Sequence, residues 1–346
     1  MYRIYTKREY LEYLTQTALG LGKGDKITLA TMTFSPEVQE INQLADALCH
    51  AAKSGADVTL QLDAYSFIIY KSKLGPLLIG SVPSRLFGRI FNQRRTAINA
   101  LKDSGVNAII TNRPTKRLYN PFGGRSHIKW AIINNLVLTG GCNLSDPDQD
   151  DLMISWEDPK LAKTLTGITN NFSNHPTTSK SFDSTDRTIN INSDTNLLLD
   201  AGVKHQSLIL DSAVGLIDAA DKSVVFTCQF FPRGKILQSL QSAHDRGVDV
   251  KIIYNHPSQH TFPFNLLHYW VKHSAKAKGA AKLFSYERNK SQSYLHSKII
   301  LTDKAVMIGS HNYVDAGVDF GTSEVSILST NPQIKKAIQP RIKQRA

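Results

Sequence analysis

The stretches SHIKWAIINNLVLTGGCN (residues 126–143) and LHSKIILTDKAVMIGSHN (residues 295–312) align with each other without a gap. Each is an apolar, β-rich run that opens on a His-x-Lys pair and ends on an asparagine. Side chains two residues apart on an extended strand point to the same face, so the histidine and lysine of each pair lie side by side. One such pair would indicate only the wet side of a half-buried strand, but its repetition predicts a shared function.

The two copies share residues of functional type at identical spacing. The matched pairs are His127 with His296, Lys129 with Lys298, Gly140 with Gly309, and Asn143 with Asn312. The interval from histidine to asparagine is 16 residues in both copies. We therefore expect two equivalent halves that place both motifs in one site.

The repeat extends on both sides of the motifs. Residues 25–36 resemble residues 221–232, and each run is followed by a predicted helix, the first capped by Ser35 with Pro36 at its first position. Short β-branched runs then follow a glycine in both copies, which is typical of strand–helix–strand units. The predicted fold class is α/β, with two pseudo-symmetric α/β sandwich halves and an active site at their interface.

The predicted organisation is an N-terminal half over residues 1–165, a linker over residues 166–194 and a C-terminal half over residues 195–346. The linker prediction rests on a polar run between residues 170 and 194 that is rich in Ser, Thr and Asn.

Composition restricts the class of protein. The chain has 346 residues, 41% of them hydrophobic, and offers no apolar run of about 18 residues that would span a membrane. We expect a cytoplasmic protein, with its three separated cysteines reduced and no structural zinc site. The formal net charge is +12, and residues 64–145 hold twelve Lys and Arg against a single acid, Asp103. A surface this basic attracts polyanions, either nucleic acid or anionic lipid.

Two histidines, two lysines and two asparagines in one pocket suit a phosphodiester. One imidazole can attack phosphorus and form a covalent phosphohistidine, while the other protonates the leaving oxygen. The ammonium and amide groups can stabilise charge on the phosphoryl oxygens, a task that metals perform in other phosphoryl-transfer enzymes. We therefore expect neither a metal nor another cofactor.

These motifs resemble those of the phospholipase D superfamily, whose repeated motif is His-x-Lys-x4-Asp followed by Gly-Gly or Gly-Ser-x-Asn. The second copy fits throughout, including Asp303, whereas the first has Asn134 in place of the aspartate. The resemblance also implies an acid on the strand after each motif, and Asp151 and Glu324 match it. Each acid is expected to accept a hydrogen bond from a histidine Nδ1 and so fix the tautomer that presents Nε2 to phosphorus.

The resemblance implies a set of catalytic residues, which are His127, Lys129, Asn143, Asp151, His296, Lys298, Asp303, Asn312 and Glu324. By the usual assignment in the family, His127 is the nucleophile and His296 the general acid and base. His311, inside the GSHN run, either touches the substrate or supports the loop. Within the superfamily, the halves are most similar to the bacterial cardiolipin synthase and phosphatidyltransferase branch.

Two inserts favour a lipid substrate. Residues 66–95 mix six basic residues with many apolar ones, including Leu77, Leu78 and Ile79, and residues 260–279 contain Tyr269 and Trp270 followed by lysines. Apolar residues interleaved with cations are typical of an interfacial membrane segment, whereas a phosphate backbone gives aliphatic side chains nothing to bind. The alternative is that these apolar residues cover the core or a subunit contact.

The predicted function is a phosphatidyltransferase or phospholipase D that acts peripherally at the inner membrane surface on anionic phospholipid. The acceptor is water, a small alcohol such as glycerol, or a second phospholipid. The alternative is a metal-independent endonuclease of the same superfamily that cleaves DNA or RNA. A catalytically inactive binding module is disfavoured because both His-x-Lys pairs are intact.

Overall fold

The chain forms two β-sheets, each flanked by helices. The computed structural model describes residues 2–67, 88–112, 124–174, 185–260, 266, 270, 285–288 and 292–343. The first sheet has seven strands and the second has eight.

The N-terminal half alternates strands and helices before it ends in an antiparallel segment. Its elements are β1 (Tyr2–Thr6), α1 (Lys7–Leu19), β2 (Lys26–Thr31), α2 (Gln39–Lys53), β3 (Asp57–Asp63), α3 (Gly88–Asp103), β4 (Asn107–Thr111), β5 (Trp130–Ile133), β6 (Leu136–Gly140), β7 (Leu152–Glu157) and α4 (Pro159–Asn174). The C-terminal half repeats the succession of strands after one additional strand. Its elements are β8 (Arg187–Asn192), β9 (Thr195–Ala201), α5 (Leu208–Asp218), β10 (Ser223–Thr227), α6 (Gly234–Asp245), β11 (Asp249–Tyr254), β12 (Ser285–Glu287), β13 (Lys298–Thr302), β14 (Val306–Gly309), α7 (Asp315–Phe320), β15 (Ser323–Ser329) and α8 (Pro332–Lys343).

The strand order confirms the predicted repeat. The first sheet runs β1-β7-β6-β5-β2-β3-β4, and the second runs β8-β9-β15-β14-β13-β10-β11-β12. If β8 is set aside, each strand of the second sheet has a counterpart at the same place in the first. The predicted α/β class and the arrangement in two halves are therefore confirmed.

Side-chain alternation gives each sheet two apolar faces. On β5, Ala131 packs into the core beneath α1 and α2, whereas Trp130 faces a central core shared by both halves. On β13, Ile299 enters that same central core and Ile300 packs beneath α5 and α6. Burial on both faces is what the β-branched composition of these strands predicts. Among the helices in the described ranges, none combines the length and apolar content that a membrane crossing requires.

The described ends of the predicted linker over residues 166–194 are regular secondary structure, which the prediction did not include. The first part of this segment belongs to α4, where Thr169 is buried and its hydroxyl accepts a hydrogen bond from Trp130 Nε1 at 3.1 Å. The last part is β8, which pairs with β9 and buries Ile189 and Ile191 partly against the central core. The polar composition concealed the alternating isoleucines, which are the signal of a half-buried strand.

The predicted start of the second helix is also wrong. Helix α2 begins at Gln39 rather than at Pro36, because the carbonyl of Ser35 accepts the N–H of Val38 in a preceding turn. The Ser35 hydroxyl does not cap the helix but contacts the guanidinium of Arg94 at 2.6 Å.

Candidate active site

The two His-x-Lys segments meet where the halves join. The main-chain N–H of His127 donates to the carbonyl of Ser323 at 2.8 Å, and that of His296 donates to the carbonyl of Asp150 at 3.0 Å. Each histidine segment thus forms a bridge with the residue that precedes the predicted acid of the other half, which is Asp151 or Glu324. The fold therefore brings together two motifs that are 169 residues apart in the sequence.

Each histidine is paired with the acid of the opposite half. His127 Nδ1 lies 2.8 Å from one carboxylate oxygen of Glu324 and 2.9 Å from the other. His296 Nδ1 lies 2.5 Å from Asp151 Oδ2. A carboxylate can only accept, so each Nδ1 carries the proton and each Nε2 is left with its lone pair in the neutral ring. All four side chains are buried.

Both motif lysines are fully buried beside their histidines. Lys129 Nζ donates to the carbonyl of His127 at 2.8 Å, and Lys298 Nζ donates to the carbonyl of His296. Lys298 Nζ also lies 2.9 Å from the Nδ1 of His296. In each motif, the lysine side chain therefore extends back towards the histidine two residues before it.

Burial depresses the proton affinity of the basic groups. Burial, followed by the Lys298 charge, lowers the pKa of His296 to about 3, and burial with the charge of Lys129 lowers the pKa of His127 well below its usual value. Burial also lowers the pKa of Lys129 to about 7 and lowers that of Lys298. All four pKa values are lowered, so an anionic ligand at this site would favour protonation of all four groups.

The two acids differ in their electrostatic state. Burial alone would raise the pKa of the Asp151 carboxyl, but the hydrogen bond from His296 and the Lys298 charge outweigh it and lower the pKa to about 2. Burial raises the pKa of Glu324, in spite of nearby positive charge and the hydrogen bond from Ser310. The halves are therefore not equivalent electrostatically.

The motif asparagines also lie at the site end of their strands. Asn143 and Asn312 are the last residues of the two aligned runs, and in the described part of the chain their side-chain oxygens are buried without a hydrogen-bond partner. An unpaired buried polar atom is costly to the fold. These oxygens can only accept a hydrogen bond, and the N–H groups of the same amides are the ones that could donate to a ligand.

The small residues of the motif allow the last strand of each half to approach. A Cβ on Gly140 would overlap the carbonyl of Leu152, and a Cβ on Gly309 would overlap the carbonyl of Val325. The next position differs between halves, because Gly141 leaves room for the Asp151 carboxylate whereas Ser310 donates its hydroxyl to Glu324.

The structure does not bring the predicted catalytic residue Asp303 into contact with the motif side chains. One carboxylate oxygen of Asp303 accepts the main-chain N–H groups of Asp221, Lys222 and Ser223 at 3.2 to 3.3 Å, at the far end of β13. Its placement indicates a support for the strand, since it joins the β13–β14 turn to the start of β10.

Asn134 performs the same task in the first half. Its side-chain oxygen accepts the N–H of Lys26 at 2.9 Å and its amide donates to Asp25 at 3.0 Å, so that the turn after β5 is joined to the start of β2. Asn134 also has a φ of 52°, a left-handed conformation that asparagine tolerates better than most residues. The departure from the family motif is therefore accommodated by the turn.

The contacts of His311 support the second of its two predicted roles, which are contact with the substrate and support of the loop. The Nδ1 of His311 accepts the main-chain N–H of Tyr313 at 2.8 Å, and Tyr313 itself adopts a φ of 53°. This bond supports the loop and leaves the proton on Nε2.

Sequence reasoning missed two residues that hold the histidine segments. Asp63 ends β3 and accepts the N–H of Ser126 at 2.8 Å, and Asn255 follows β11 and accepts the N–H of Leu295 at 2.9 Å. Ser126 and Leu295 are the residues before the two histidines, so both positions fix the same backbone. The only signal in the sequence was a polar residue at the carboxyl end of each parallel strand.

Asp63 is further paired with a buried cation. The guanidinium of Arg125 lies 2.8 Å from the Asp63 carboxylate.

Among the described residues, no group of three or more His, Cys, Asp or Glu side chains could hold a metal ion. The arrangement can supply one imidazole for attack, a second for proton transfer, and four donors for the phosphoryl oxygens.

Comparison with known proteins agrees with this geometry. Residues 214–345 match the family described as "Cardiolipin synthase, PLD-like domain". The fold is similar to that of phosphatidylserine synthase from Haemophilus influenzae Rd KW20, with a TM-score of 0.68 and 12% identity over 99% of this chain and 85% of that one. It is also similar to polyphosphate kinase from Porphyromonas gingivalis, with a TM-score of 0.57 and 12% identity over 98% of this chain and 49% of that one. No curated protein sequence matched the chain.

The structural neighbours share the fold over nearly the whole chain, and the family model matches residues 214–345 of the C-terminal half. The N-terminal half repeats the same strand order and the same His-x-Lys motif. The match to a phospholipase D-like family thus covers the C-terminal part of the chain, and the N-terminal half resembles that part in topology and motif.

Proposed function

We propose that the protein is a phosphatidyltransferase or phospholipase D that cleaves a phospholipid phosphodiester through a phosphohistidine. The observation that carries this proposal is the convergence of two histidines, each with its Nδ1 on a carboxylate from the other half, beside two buried lysines. Such a site supplies both imidazoles that a two-step displacement at phosphorus requires.

In the first step, His127 Nε2 uses its lone pair to form a bond to phosphorus, and the bond from phosphorus to the leaving alcohol oxygen breaks. That oxygen takes its electron pair and receives the Nε2 proton of His296. In the second step, His296 takes a proton from the acceptor alcohol or water. The acceptor oxygen bonds to phosphorus, and the P–N bond breaks, which returns the lone pair to His127.

The acids support this assignment of roles. Asp151 is ionised beside His296 and stabilises the imidazolium that must form there before the leaving group is protonated. The pKa of Glu324 is raised, so Glu324 stabilises a positively charged imidazolium at His127 less strongly than Asp151 does at His296. This suits His127, which must be neutral to attack phosphorus. Lys129 and Lys298 contribute positive charge to the transferred group.

A lipid substrate is supported by exposed apolar side chains in the second insert. Leu266 is 51% exposed and Trp270 is 71% exposed, four residues apart and within a segment that carries lysines. A tryptophan with cations around it is typical of a membrane–water interface. This supports peripheral binding at the anionic inner membrane surface.

The first insert bears on the proposal less directly. Leu77, Leu78 and Ile79 lie outside the described residues. Arg94 is one of the six basic residues of this insert, but it is 2% exposed and ion-paired with Glu37 at 2.8 Å, so it supports the fold instead of facing a membrane.

The test is turnover in excess EDTA with phosphatidylglycerol vesicles and, separately, with single-stranded DNA. We expect glycerol together with phosphatidic acid or a phosphatidyl-transfer product from phosphatidylglycerol, no DNA cleavage, and no activity from His127→Gln or His296→Gln. Rapid acid quench of labelled substrate should place the label on His127. DNA cleavage without lipid turnover would favour the nuclease alternative, and activity that needs one added divalent ion would contradict the mechanism.

A further inference from the structure

The strand register identifies equivalent positions beside the two acids. In the first sheet, Thr6 of β1 pairs with Leu152, the residue after Asp151. In the second sheet, Leu199 of β9 pairs with Val325, the residue after Glu324. The residues that follow Thr6 and Leu199 therefore occupy the same place next to the acid in each half.

These equivalent positions hold Lys7 and Asp200, which carry opposite charges. Both side chains are about 1% exposed. Asp200 is also the direct register partner of Glu324. Lys7 is the first residue of α1, a position where the helix dipole disfavours a cation.

Lys7 is held only by neutral groups. Its Nζ donates to Ser145 Oγ at 2.9 Å and to Gln149 Oε1 at 2.7 Å, and no carboxylate lies within ion-pair distance of it in the described ranges. The charged or titratable groups whose fields reach Lys7 are Asp146, Asp151, Lys298, His296 and the thiol of Cys142. Its positive charge therefore acts on the pair formed by Asp151 and His296.

Asp200 is likewise held by uncharged donors. It accepts the Ser207 hydroxyl at 2.5 Å and the N–H of Ile209 at 3.0 Å, and the described residues place no cation within ion-pair distance. The titratable groups that face it are Asp186 and Glu324, and burial raises the pKa of Asp200 to about 7. Above about pH 7, where Asp200 is ionised, its negative charge acts on the pair formed by Glu324 and His127.

We propose that Lys7 and Asp200 are positioning residues whose opposite charges make the two histidine–acid pairs unequal. The positive charge of Lys7 disfavours a proton on the His296 pair, so His296 gives up its proton more readily to the leaving oxygen. The negative charge of Asp200 favours retention of the proton that His127 shares with Glu324, which makes the free Nε2 more basic. A buried charge without a counter-ion destabilises the fold. The proposed role explains why each half nevertheless contains one such residue.

This inference rests on the two-histidine mechanism proposed above but not on a lipid substrate. It is tested by pH titration of the imidazole signals of the resting protein, labelled with ¹⁵N-histidine, with no substrate present. Lys7→Gln should raise the apparent pKa of the His296 pair by about 0.5 or more. The His127 signals of the wild type should show a step near pH 7, where Asp200 ionises, and Asp200→Asn should remove that step. Each variant should leave the other pair nearly unchanged.

Matched controls separate charge from packing. Lys7→Arg keeps the charge and should leave both titrations as in the wild type, and so should Lys304→Gln, which removes a lysine that is 47% exposed. The pH–rate profile of bis(p-nitrophenyl) phosphate turnover gives a second readout, in which Lys7→Gln and Asp200→Asn should move opposite limbs.

The proposal is overturned if both variants move the two pairs alike, or if they change thermal stability without moving either pair. If one variant does not fold, the other tests its own half independently. Absence of lipid turnover with the expected titration shifts would contradict the proposed substrate and not this inference.

Discussion

His127 donates its Nδ1–H to Glu324, a residue 197 positions further along the chain, with 2.8 Å between Nδ1 and the nearer carboxylate oxygen. The reciprocal pair, His296 and Asp151, also spans the two halves. Neither half therefore contains a complete histidine–acid pair of its own, and the proposed mechanism requires that the halves pack together.

The crossed pairing predicts different consequences for the two acids. Asp151→Asn weakens the general acid, so it should reduce turnover of substrates with poor leaving groups by about 10² to 10⁴ while sparing p-nitrophenyl esters. Glu324→Gln should reduce turnover of both substrate types, because it acts on the nucleophile. Steady-state rates with an alkyl and a p-nitrophenyl phosphodiester distinguish these results. Equal losses on both substrates for both variants would contradict the assigned roles.

The buried lysines predict a conflict between stability and activity. Lys129→Met removes a charge from a fully buried position, so it should increase the free energy of unfolding by about 1 to 4 kcal/mol. The same change removes a donor to the phosphoryl group and should reduce kcat by about 10² or more. Urea denaturation and steady-state kinetics measure the two effects. A loss of stability in Lys129→Met would show that the ammonium supports the fold.

The pKa of Lys129 predicts how stability depends on pH. This pKa is about 7 in the folded protein, against a usual value of 10.5. Between these values the unfolded chain binds more protons, so the contribution of Lys129 to stability becomes less unfavourable as pH rises through this window. The free energy of unfolding of the wild type minus that of Lys129→Met, obtained from thermal unfolding between pH 6 and about 10, should rise with pH. A flat difference would mean that Lys129 titrates normally.

The turn at Asn134 predicts that restoring the family aspartate is unfavourable here. Asn134→Asp places a second carboxylate beside Asp25 and removes the 3.0 Å hydrogen bond between them, so the melting temperature should fall slightly. Activity should stay near the wild-type value, since Asn134 contacts Lys26 and Asp25 rather than the motif side chains. The double variant Asn134→Asp with Asp25→Asn should recover the stability. Large loss of activity without loss of stability would instead place this position in the site.

The exposed side chains of the second insert predict selective loss of membrane binding. Leu266→Ser with Trp270→Ser should reduce binding to anionic vesicles about tenfold or more while turnover of a soluble phosphodiester persists. Leu19→Ser is the matched control, because Leu19 is similarly exposed at 53% but lies at the end of α1. Sedimentation with vesicles measures binding. Equal effects of the control and the insert variant would remove the support for a lipid substrate.

The sequence by itself determined the repeat, the α/β class and the residues of the two motifs. Strand and helix periodicity follow from local alternation, and the gapless match between residues 126–143 and 295–312 needs no tertiary information. Composition failed where it was the only guide. The alternation of Ile189 and Ile191 lies in a polar stretch, and the β8 strand was therefore assigned to a linker.

Only the tertiary structure decided which residues act on each other. Glu324 could have served the histidine of its own half, and the crossed arrangement exists because each histidine segment bridges to the other half. The structure also separated Asp303 from the site and placed Lys7 and Asp200 beside the acids. The physical reason is that strand register and the packing of two sheets fix these contacts, and both depend on residues far apart in the chain.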